Sequence, residues 1–206
     1  MPESGFVFAC FNNSYKITPA LFDIWMRLLS QIEGSVLWLL EDTAIATANL
    51  KREAEARGVL ASRLVFAPRM SAENHLARQG LADIFLDTLP CNAHTTASDA
   101  LFVGLPVLTV LGSTFAGRVA ASLLRSMDLP ELIAPSLAEY ENLALRLACE
   151  PALLAALREK LKRNRETAPL FDTARFTRNL EAAYIQMWER TQLGEPPADI
   201  SIPRQG

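Results

Sequence analysis

The sequence contains few of the residues that build metal sites, redox centres or nucleic-acid interfaces. Only three cysteines occur among 206 residues, and the odd number and wide spacing of Cys10, Cys91 and Cys149 fit neither a CxxC pair nor a zinc site. There are two histidines, and the net charge of −3 gives no general attraction to a polyanion. We therefore expect no bound metal and no nucleic-acid partner.

Long apolar runs and glycine-rich phosphate loops are also absent. No apolar segment approaches the ~20 residues that cross a bilayer, and the opening Met-Pro-Glu-Ser-Gly does not resemble a secretory signal. We expect a cytoplasmic protein that does not bind membranes. Neither Gly-x-Gly-x-x-Gly nor Gly-x-x-x-x-Gly-Lys-Ser/Thr occurs, which argues against dinucleotide oxidoreductases and P-loop enzymes.

What is present is an alternation of short β-rich runs with helical patterns, in a chain whose residues are half hydrophobic. The strand-like runs are residues 5–11, 35–40, 64–67, 84–86 and 107–110. The alternation predicts an α/β fold with a doubly wound, parallel, Rossmann-like sheet. In such sheets ligands bind beyond the carboxyl ends of the strands.

Beyond the sheet the chain is predicted to be helical. We expect an α/β core over residues 5–135, C-terminal helices of the same lobe over 136–190, and a loose tail over 191–206. The basic run at 158–165 is interpreted as a solvated helix face. The last helical pattern carries apolar residues at helical spacing, which we interpret as buried core. These residues are Phe176, Leu180, Tyr184, Met187 and Trp188.

The most informative segment runs from Asp87 to Asp99 and reads Asp-Thr-Leu-Pro-Cys-Asn-Ala-His-Thr-Thr-Ala-Ser-Asp. It leaves a strand-like run and leads into a helical pattern over residues 95–103 that Gly104 stops. The free N–H groups at a helix N-terminus attract phosphates. Cys91 lies inside this loop, where we favour a packing role over that of a catalytic thiol. The segment predicts an anion site after a buried strand.

Four side chains in this segment suit a nucleotide diphosphate. Thr95 and Thr96 supply hydroxyl donors and His94 supplies an imidazole. Asp99 follows one turn later on roughly the same face, where a carboxylate would accept from ribose hydroxyls. The cluster predicts a nucleotide site.

Three other segments are candidates with competing interpretations. Lys16, with Asn13 beside it, can neutralise a diphosphate and the charge on a leaving group, or it is an ordinary surface lysine. His75 and Arg78 can contact a base, or they form a solvated helix face. Residues 114–118 can place donors near a phosphate or sugar, or they form an ordinary strand–helix turn.

Six collinear segments together resemble a known family. They are Phe-Asn-Asn-Ser-Tyr-Lys-Ile at 11–17, Ser-Val-Leu-Trp-Leu-Leu at 35–40, the 87–99 run, Gly-Leu-Pro-Val-Leu-Thr at 104–109, Arg-Val-Ala-Ala-Ser at 118–122 and Pro-Leu-Phe at 169–171. They resemble the C-terminal catalytic half of the protein O-linked N-acetylglucosamine transferases. The plant SPINDLY-type enzymes and bacterial homologues with tetratricopeptide repeats are similar as well. The resemblance extends over nearly the whole chain, from about Gly5 to Trp188.

This resemblance implies a glycosyltransferase of GT-B architecture, in which this chain is the C-terminal of two Rossmann-like lobes and UDP-N-acetylglucosamine is the donor substrate. Lys16 and the His94–Thr96 run would hold the diphosphate, with Lys16 also acting catalytically on the leaving group. Asp99 would bind the ribose, and His75 with Arg78 the uracil. No cofactor or metal is implied.

The chain departs from the family pattern at three positions. Asn13 stands where a glutamine is common, so the amide is kept at a shorter reach. Ala72 stands where a lysine often binds the ribose, so that contact is lost. Ser113 replaces a common acidic residue, which leaves the role of the 114–118 loop open.

The resemblance also implies partners outside this chain. Family members carry an N-terminal Rossmann lobe, often preceded by tetratricopeptide repeats, and modify Ser/Thr hydroxyls of protein acceptors. We expect this lobe alone to bind UDP or a UDP-sugar and to transfer sugar weakly or not at all. Two alternatives stay open: a non-catalytic nucleotide-binding or interaction module, and a relative that uses another donor such as GDP-fucose.

Overall fold

The computed structural model describes residues 4–203, and within them the strands form one six-stranded sheet. In chain order the strands are β1 (Val7–Cys10), β2 (Val36–Leu40), β3 (Leu64–Ala67), β4 (Ile84–Leu86), β5 (Val107–Val110) and β6 (Ile133–Ala134). Their order across the sheet is β3-β2-β1-β4-β5-β6, and every pairing is parallel. The predicted doubly wound α/β fold is confirmed.

Helices connect the strands and continue beyond the sheet. They are α1 (Pro19–Gln31), α2 (Ala44–Glu55), α3 (Ala72–Gln79), α4 (Thr95–Val103), α5 (Val119–Ser126), α6 (Leu137–Cys149), α7 (Pro151–Thr167) and α8 (Thr173–Gln192). Several begin where a hydroxyl side chain accepts a hydrogen bond from a first-turn N–H, which supplies a partner for an otherwise orphaned donor. These N-cap residues are Thr18, Thr43, Ser71 and Ser136.

The sixth strand was not predicted from the sequence. β6 is two residues long and follows a single 3-10 turn at Pro130–Leu132, so it is too short to show a periodicity. It extends the sheet beyond β5 by pairing Ile133 with Thr109. The other five strands lie inside their predicted runs, with the predicted ends trimmed at β1 and β2.

The chain changes direction across the sheet between β1 and β4. From β1 it proceeds outward to β2 and β3, then returns to place β4 on the opposite side of β1. The connections after β1 and β4 therefore leave toward opposite flanks and open a crevice at the carboxyl ends of these two strands. This topological switch point is where ligands bind in open α/β sheets.

The crevice is supported from below by the packing of α1 and α6. Tyr140 on α6 is fully buried; its hydroxyl accepts from Trp25 Nε1 on α1 at 3.1 Å and donates to the backbone carbonyl of Asp87 at 3.1 Å. Because Asp87 directly follows β4, one buried hydroxyl joins both helices to the strand end that carries the crevice.

The apolar face of α8 is exposed, which contradicts the prediction that it is core. Phe176, Tyr184, Met187 and Trp188 are 64%, 58%, 52% and 66% exposed. Helical periodicity shows that one face of a helix is apolar but does not identify what covers it. In the part of the chain described here, this face of α8 has no such cover.

The basic run on α7 is also not simply a solvated face. Arg158 donates to the backbone carbonyls of Ala82 and Asp83 at 2.9 and 3.0 Å and pairs with the Asp83 carboxylate at 3.1 Å. Arg165 donates to the carbonyl of Phe102 at 3.0 Å. These residues fasten α7 to the sheet and to α4, so the prediction was wrong for them.

None of the helices in residues 4–203 has the length and apolar character needed to span a membrane.

Candidate functional site

A cavity of about 540 Å³ opens at the switch point, at the carboxyl ends of β1 and β4. Its walls come from the loop after β1, the segment from the end of β3 into α3, and the start of α4. Phe11, Asn12, Asn13, Tyr15, Lys16, Leu40, Arg69, Met70, Ala72, His75, Arg78, His94, Thr95 and Thr96 line it.

The structure brings together seven of the eight side chains predicted to bind a nucleotide. Asn13, Lys16, His75, Arg78, His94, Thr95 and Thr96 all line the cavity. Asp99 lies one turn into α4 and is partly exposed; it does not line the cavity as it stands. Its charge still reaches His75, where it acts to raise the imidazole pKa. The binding role of each of these residues remains a prediction.

Lys16 joins the two loops that flank the crevice. It ends a short 3-10 helix (Ser14–Lys16), and its ammonium donates to the backbone carbonyl of Asn92 at 2.8 Å. Asn92 lies in the loop between β4 and α4, three residues before Thr95. The single cation of the β1 loop is thus already directed at the N-terminus of α4.

The N-terminus of α4 faces the cavity without a side-chain cap. His94 occupies the N-cap position and makes no capping hydrogen bond, so the N–H groups of the first turn are left for another acceptor. Its Nε2 lies 3.4 Å from the carbonyl oxygen of Ala116. Thr95 is exposed, whereas Thr96 donates to the Asn12 side chain at 2.6 Å. A nine-residue helix with this open end suits an anion.

Arg78 is buried and His75 beside it is partly buried, so their interpretation as a solvated helix face is wrong. Arg78 is 8% exposed; it donates from Nε to His75 Nδ1 at 3.0 Å and from Nη1 to the carbonyl of Pro68 at 2.7 Å. Its guanidinium lies 5.0 Å from the ring centroid of Phe11, within range of a cation–π interaction. Arg78 therefore orients His75 and holds α3 to the strand end.

The hydrogen bond from Arg78 also selects the state of His75. Since Nδ1 accepts, the proton of a neutral ring resides on Nε2, which leaves Nε2–H as a donor. Burial and the Arg78 charge lower the pKa of His75 below 6.5, which Asp99 opposes. The ring packs edge-on against Phe11, with centroids 5.2 Å apart. A neutral, oriented imidazole at the rim can donate to or stack on a planar base.

A polar cluster at the cavity rim was not predicted from the sequence. Arg69 follows β3 and donates to the Asn13 side chain at 3.2 Å and to Asp42 at 3.4 Å. Asp42, which follows β2, accepts from Ser14 Oγ at 2.9 Å. The hydrogen bonds from Ser14, then the Arg69 charge, lower the pKa of Asp42. Their positions in the sequence could have identified these residues, because each follows a strand or lies in the loop after β1.

Asp87, the first residue of the key segment, lies beneath the cavity rather than in it. It is 1% exposed and accepts from the backbone N–H groups of Thr88 and Ala93 at 2.7 and 2.6 Å and from Thr109 Oγ1 at 2.6 Å. Burial raises the pKa of Asp87 to about 7, while these hydrogen bonds act to lower it. Sequence reasoning treated the whole 87–99 segment as a ligand site and missed this internal role.

The loop at residues 114–118 supports the neighbouring loop and does not line the cavity. Asn92 N–H donates to the carbonyl of Ala116 at 2.8 Å. A side chain at Gly117 would meet the carbonyl oxygen of Pro90 at 2.9 Å, so glycine allows the two loops to touch. Cys91 is partly buried in the same contact region and also lies outside the cavity lining.

Within residues 4–203 no three His, Cys, Asp or Glu side chains are grouped as metal ligands. The charged side chains that line the cavity are cations, Lys16, Arg69 and Arg78, joined by the two histidines. This composition suits an anionic ligand with a planar group.

Comparison with known proteins gives concordant matches. The model of a family described as glycosyl transferase family 41 matches residues 1–180. The probable UDP-N-acetylglucosamine–peptide N-acetylglucosaminyltransferase SEC of Arabidopsis thaliana is 38% identical over 98% of this chain and 21% of its own length. The UDP-N-acetylglucosamine–peptide N-acetylglucosaminyltransferase of Caenorhabditis elegans is 37% identical over 95% of this chain and 17% of its own length.

Solved structures give the same picture. A mutant of the Thermobaculum terrenum O-GlcNAc transferase superposes with a TM-score of 0.84 at 37% identity, over 89% of this chain and 36% of that chain. The C-terminal CMP-Kdo binding domain of WaaA from Acinetobacter baumannii has a TM-score of 0.56 at 10% identity, over 79% of this chain and 90% of that domain. This match shows a shared fold alone. The chain spans about a fifth of the length of the curated relatives it matches.

Proposed function

This chain belongs to glycosyl transferase family 41, and we propose that it is the nucleotide-sugar-binding lobe of a protein O-linked N-acetylglucosaminyltransferase. Its ligand is UDP or a UDP-sugar, with UDP-N-acetylglucosamine as the donor. The observation that carries the proposal is the convergence of Lys16 and the uncapped N-terminus of α4 on one wall of the switch-point cavity. The fold, a Rossmann-like lobe of the GT-B kind, is shared with the bacterial O-GlcNAc transferase.

The diphosphate is assigned to the wall where positive charge and free donors meet. Lys16, the N–H groups of the first turn of α4 and the exposed Thr95 hydroxyl offer several donors to its oxygens. The Thr96 hydroxyl already donates to the Asn12 side chain. It can donate to a phosphate oxygen only if that hydrogen bond is broken. These donors compensate the charge of the diphosphate, and we propose that no metal is required.

The nucleoside is assigned to the opposite rim. His75 is held neutral and oriented by Arg78 and can stack on, or donate to, the uracil. Asp99 accepts from the ribose hydroxyls, which requires its side chain to turn toward the cavity. Arg69, on the same rim as Asn13, supplies a cation in a region where family members often carry a lysine at the position of Ala72.

The proposed transfer uses this lobe as the donor side. An acceptor Ser or Thr hydroxyl attacks the anomeric carbon and gives its proton to a base on the acceptor side, the bond from that carbon to the diphosphate oxygen breaks, and configuration inverts. Negative charge grows on the departing UDP, and the Lys16 ammonium stabilises it where it develops. The acceptor side is proposed to come from an N-terminal lobe, and in longer relatives from tetratricopeptide repeats. The location is proposed to be cytoplasmic, which the three unpaired cysteines within the described residues favour.

Calorimetric titration of UDP into the chain tests the donor site. Wild type should bind saturably, and Lys16→Ala should weaken binding by about tenfold or more, because a charge-assisted hydrogen bond is lost. Lys162→Ala removes the same charge from an exposed position on α7 and should bind like wild type. Unchanged affinity in Lys16→Ala, or no binding by folded wild type, would contradict the proposal. Competition with GDP distinguishes a GDP-sugar donor, and EDTA should leave affinity unchanged.

A second candidate function is a non-catalytic nucleotide-binding module that acts through a protein partner. The exposed apolar face of α8 favours it, because such a face normally packs against another chain or domain. A sugar-transfer assay on a peptide acceptor, with the N-terminal lobe supplied in trans, separates the two. Transfer that depends on Lys16 supports the enzyme, whereas UDP binding without transfer supports the module.

A further inference from the structure

Asp87, which follows β4, accepts hydrogen bonds from Asn12 after β1, from Thr109 on β5 and from the loop that precedes α4. Its Oδ1 accepts from Thr88 N–H and Ala93 N–H, and more weakly from Asn12 Nδ2 at 3.4 Å. Its Oδ2 accepts from Thr109 Oγ1 on β5. Asn12 follows β1 and Asp87 itself follows β4, so one buried carboxylate joins the ends of β1, β4 and β5.

Two routes lead from this carboxylate to the cavity. Asn12 accepts from Thr96 Oγ1 at 2.6 Å, so Asp87 and Thr96 act on the same amide from opposite sides. The N–H of Ala93 is fixed directly before the N-cap of α4, and the adjacent carbonyl of Asn92 accepts from Lys16. The orientation of the α4 N-terminus and that of the Lys16 ammonium therefore both depend on the Asp87 loop.

We propose, on the basis of the function proposed above, that Asp87 is a positioning residue whose ionised carboxylate sets the geometry of the diphosphate site. Every bond recorded to its two oxygens comes from a donor. A carboxylate accepts all of them. Protonation of Oδ1 places a hydrogen against N–H groups that can only donate, and protonation of Oδ2 makes the Thr109 hydroxyl accept and removes the charge that strengthens the N–H bonds to Oδ1. Loss of the charge therefore loosens the loop before α4 and weakens binding of the diphosphate.

The ionisation of Asp87 gives this arrangement a pH dependence near neutrality. Burial raises its pKa to about 7 and its hydrogen bonds oppose that rise. Facing it are the Cys10 thiol on β1, whose pKa burial raises to about 12, and the Tyr140 phenol on α6, whose pKa burial also raises. Both are neutral near pH 7. The charged or titratable groups around the cavity above are Lys16 in the β1 loop, Arg69 after β3, His75 and Arg78 on α3, His94 at the N-cap of α4 and Asp99 on α4.

The ionisation of Asp87 makes UDP affinity and folding stability depend on pH in opposite directions. The pKa of Asp87 is raised above its ordinary value of 3.8, so the folded protein holds a proton that the unfolded chain releases between pH 4 and 7. The contribution of this group to stability is greatest below pH 4 and is lost as pH rises through 7. UDP affinity should instead rise as pH passes through about 7, because the ionised form of Asp87 positions the loop.

The test compares UDP affinity from pH 5.5 to 8.5 in wild type, Asp87→Asn and the matched control Asp83→Asn. Asp83 lies at the other end of β4 and also accepts a backbone N–H, from Val7 at 2.8 Å. Wild type should bind more tightly as pH rises through about 7. Asp87→Asn should bind UDP about tenfold more weakly at pH 8 and lose the pH step that Asp83→Asn keeps, since the amide cannot ionise. Proton uptake by the histidines and by UDP is common to all three and cancels in the comparison.

A second pair of variants keeps Asp87 and changes only Thr109, whose hydroxyl donates to Asp87 Oδ2. Thr109→Val removes the hydrogen bond to Oδ2 with little change in shape and should move the midpoint of the pH step upward by about one unit. Thr109→Ser retains the donor and should keep the wild-type midpoint. The Ala93 amide signal in the NMR spectrum of the ligand-free chain should titrate with the same midpoints.

The outcomes separate the two proposals. UDP binding in which Asp87→Asn matches wild type at every pH, or a pH step that Thr109→Val does not move, overturns the positioning role and leaves the donor site intact. No UDP binding by folded wild type overturns the donor site and the positioning role together. If Asp87 were purely structural, its replacement would change unfolding stability, but UDP affinity would show no pH step for Thr109→Val to move.

Discussion

The ammonium of Lys16 donates to the backbone carbonyl of Asn92 at 2.8 Å, across the crevice between the loops that follow β1 and β4. The two residues are 76 positions apart, and neither lies in a strand or an α-helix. The contact directs the cation of one loop toward the helix N-terminus that the other loop precedes. The proposed diphosphate would therefore meet both sources of positive potential on one wall.

This relationship predicts how affinity depends on the number of phosphates. In wild type, affinity should rise from uridine to UMP to UDP, since each phosphate adds contacts with Lys16 and the α4 N-terminus. Lys16→Ala should lower UDP affinity by about tenfold or more and leave uridine affinity unchanged within about twofold. Calorimetry across the three ligands measures this. An equal loss for uridine and UDP would show that Lys16 supports the fold of the site and does not bind phosphate.

Replacing Arg78 should affect both stability and nucleoside binding. Arg78→Lys cannot make the bonds to His75 Nδ1 and the Pro68 carbonyl together, because an ammonium lacks the planar fork. We expect a loss of about 2 kcal/mol in the free energy of unfolding, measured in urea. His75→Ala should weaken uridine binding with a smaller loss of stability. Equal stability of Arg78→Lys and wild type would argue against the anchoring role.

The buried hydroxyl of Tyr140 should contribute to stability. Tyr140→Phe leaves the indole N–H of Trp25 without its partner in the core and removes the bond to the Asp87 carbonyl. A cost of about 1–3 kcal/mol is expected from an unsatisfied buried donor. Tyr184→Phe, on the exposed face of α8, should lie within about 0.5 kcal/mol of wild type. Urea unfolding of both variants provides the comparison, and similar values for the two would contradict the packing described.

The lowered pKa of His75 should make the folding stability fall at acidic pH. Its pKa is lowered below 6.5 by burial and by the Arg78 charge, so the unfolded chain binds a proton that the folded protein resists. The associated stability is present above pH 6.5 and falls as pH decreases below that value. His75→Asn should lose this component, which unfolding in urea between pH 5 and 7.5 detects. A variant whose stability follows the wild-type pH curve throughout would show that His75 does not contribute.

Local patterns predicted the elements that form the proposed nucleotide site. α4 begins and ends at the predicted residues, Thr95 and Val103, because a loop leads into it and Gly104 in the left-handed conformation stops it. β3, β4 and β5 coincide with short apolar runs between turn residues. The position of the candidate ligand residues after strands followed from the parallel sheet, since parallel strands share one carboxyl edge.

The same patterns could not supply the partners of individual side chains. Arg78 is spaced like a surface residue of a short helix, yet its guanidinium lies against Phe11, 67 positions earlier in the sequence. The apolar stripe of α8 has the period of a core helix, yet it is exposed. Periodicity is a property of one element, whereas burial depends on which other elements pack against it.

The sequence by itself determined the α/β class, the candidate ligand residues and the likeness to a glycosyltransferase family, because these depend on residue order and local spacing. Only the tertiary structure decided that Asp87 lies beneath the cavity, that Arg78 holds His75 and that Lys16 reaches Asn92. Those relations join residues far apart in the chain, and they arise when the ends of β1, β4 and β5 come to one edge of the sheet. The 87–99 segment thus contains both a helix start that faces the cavity and the buried carboxylate that orients it.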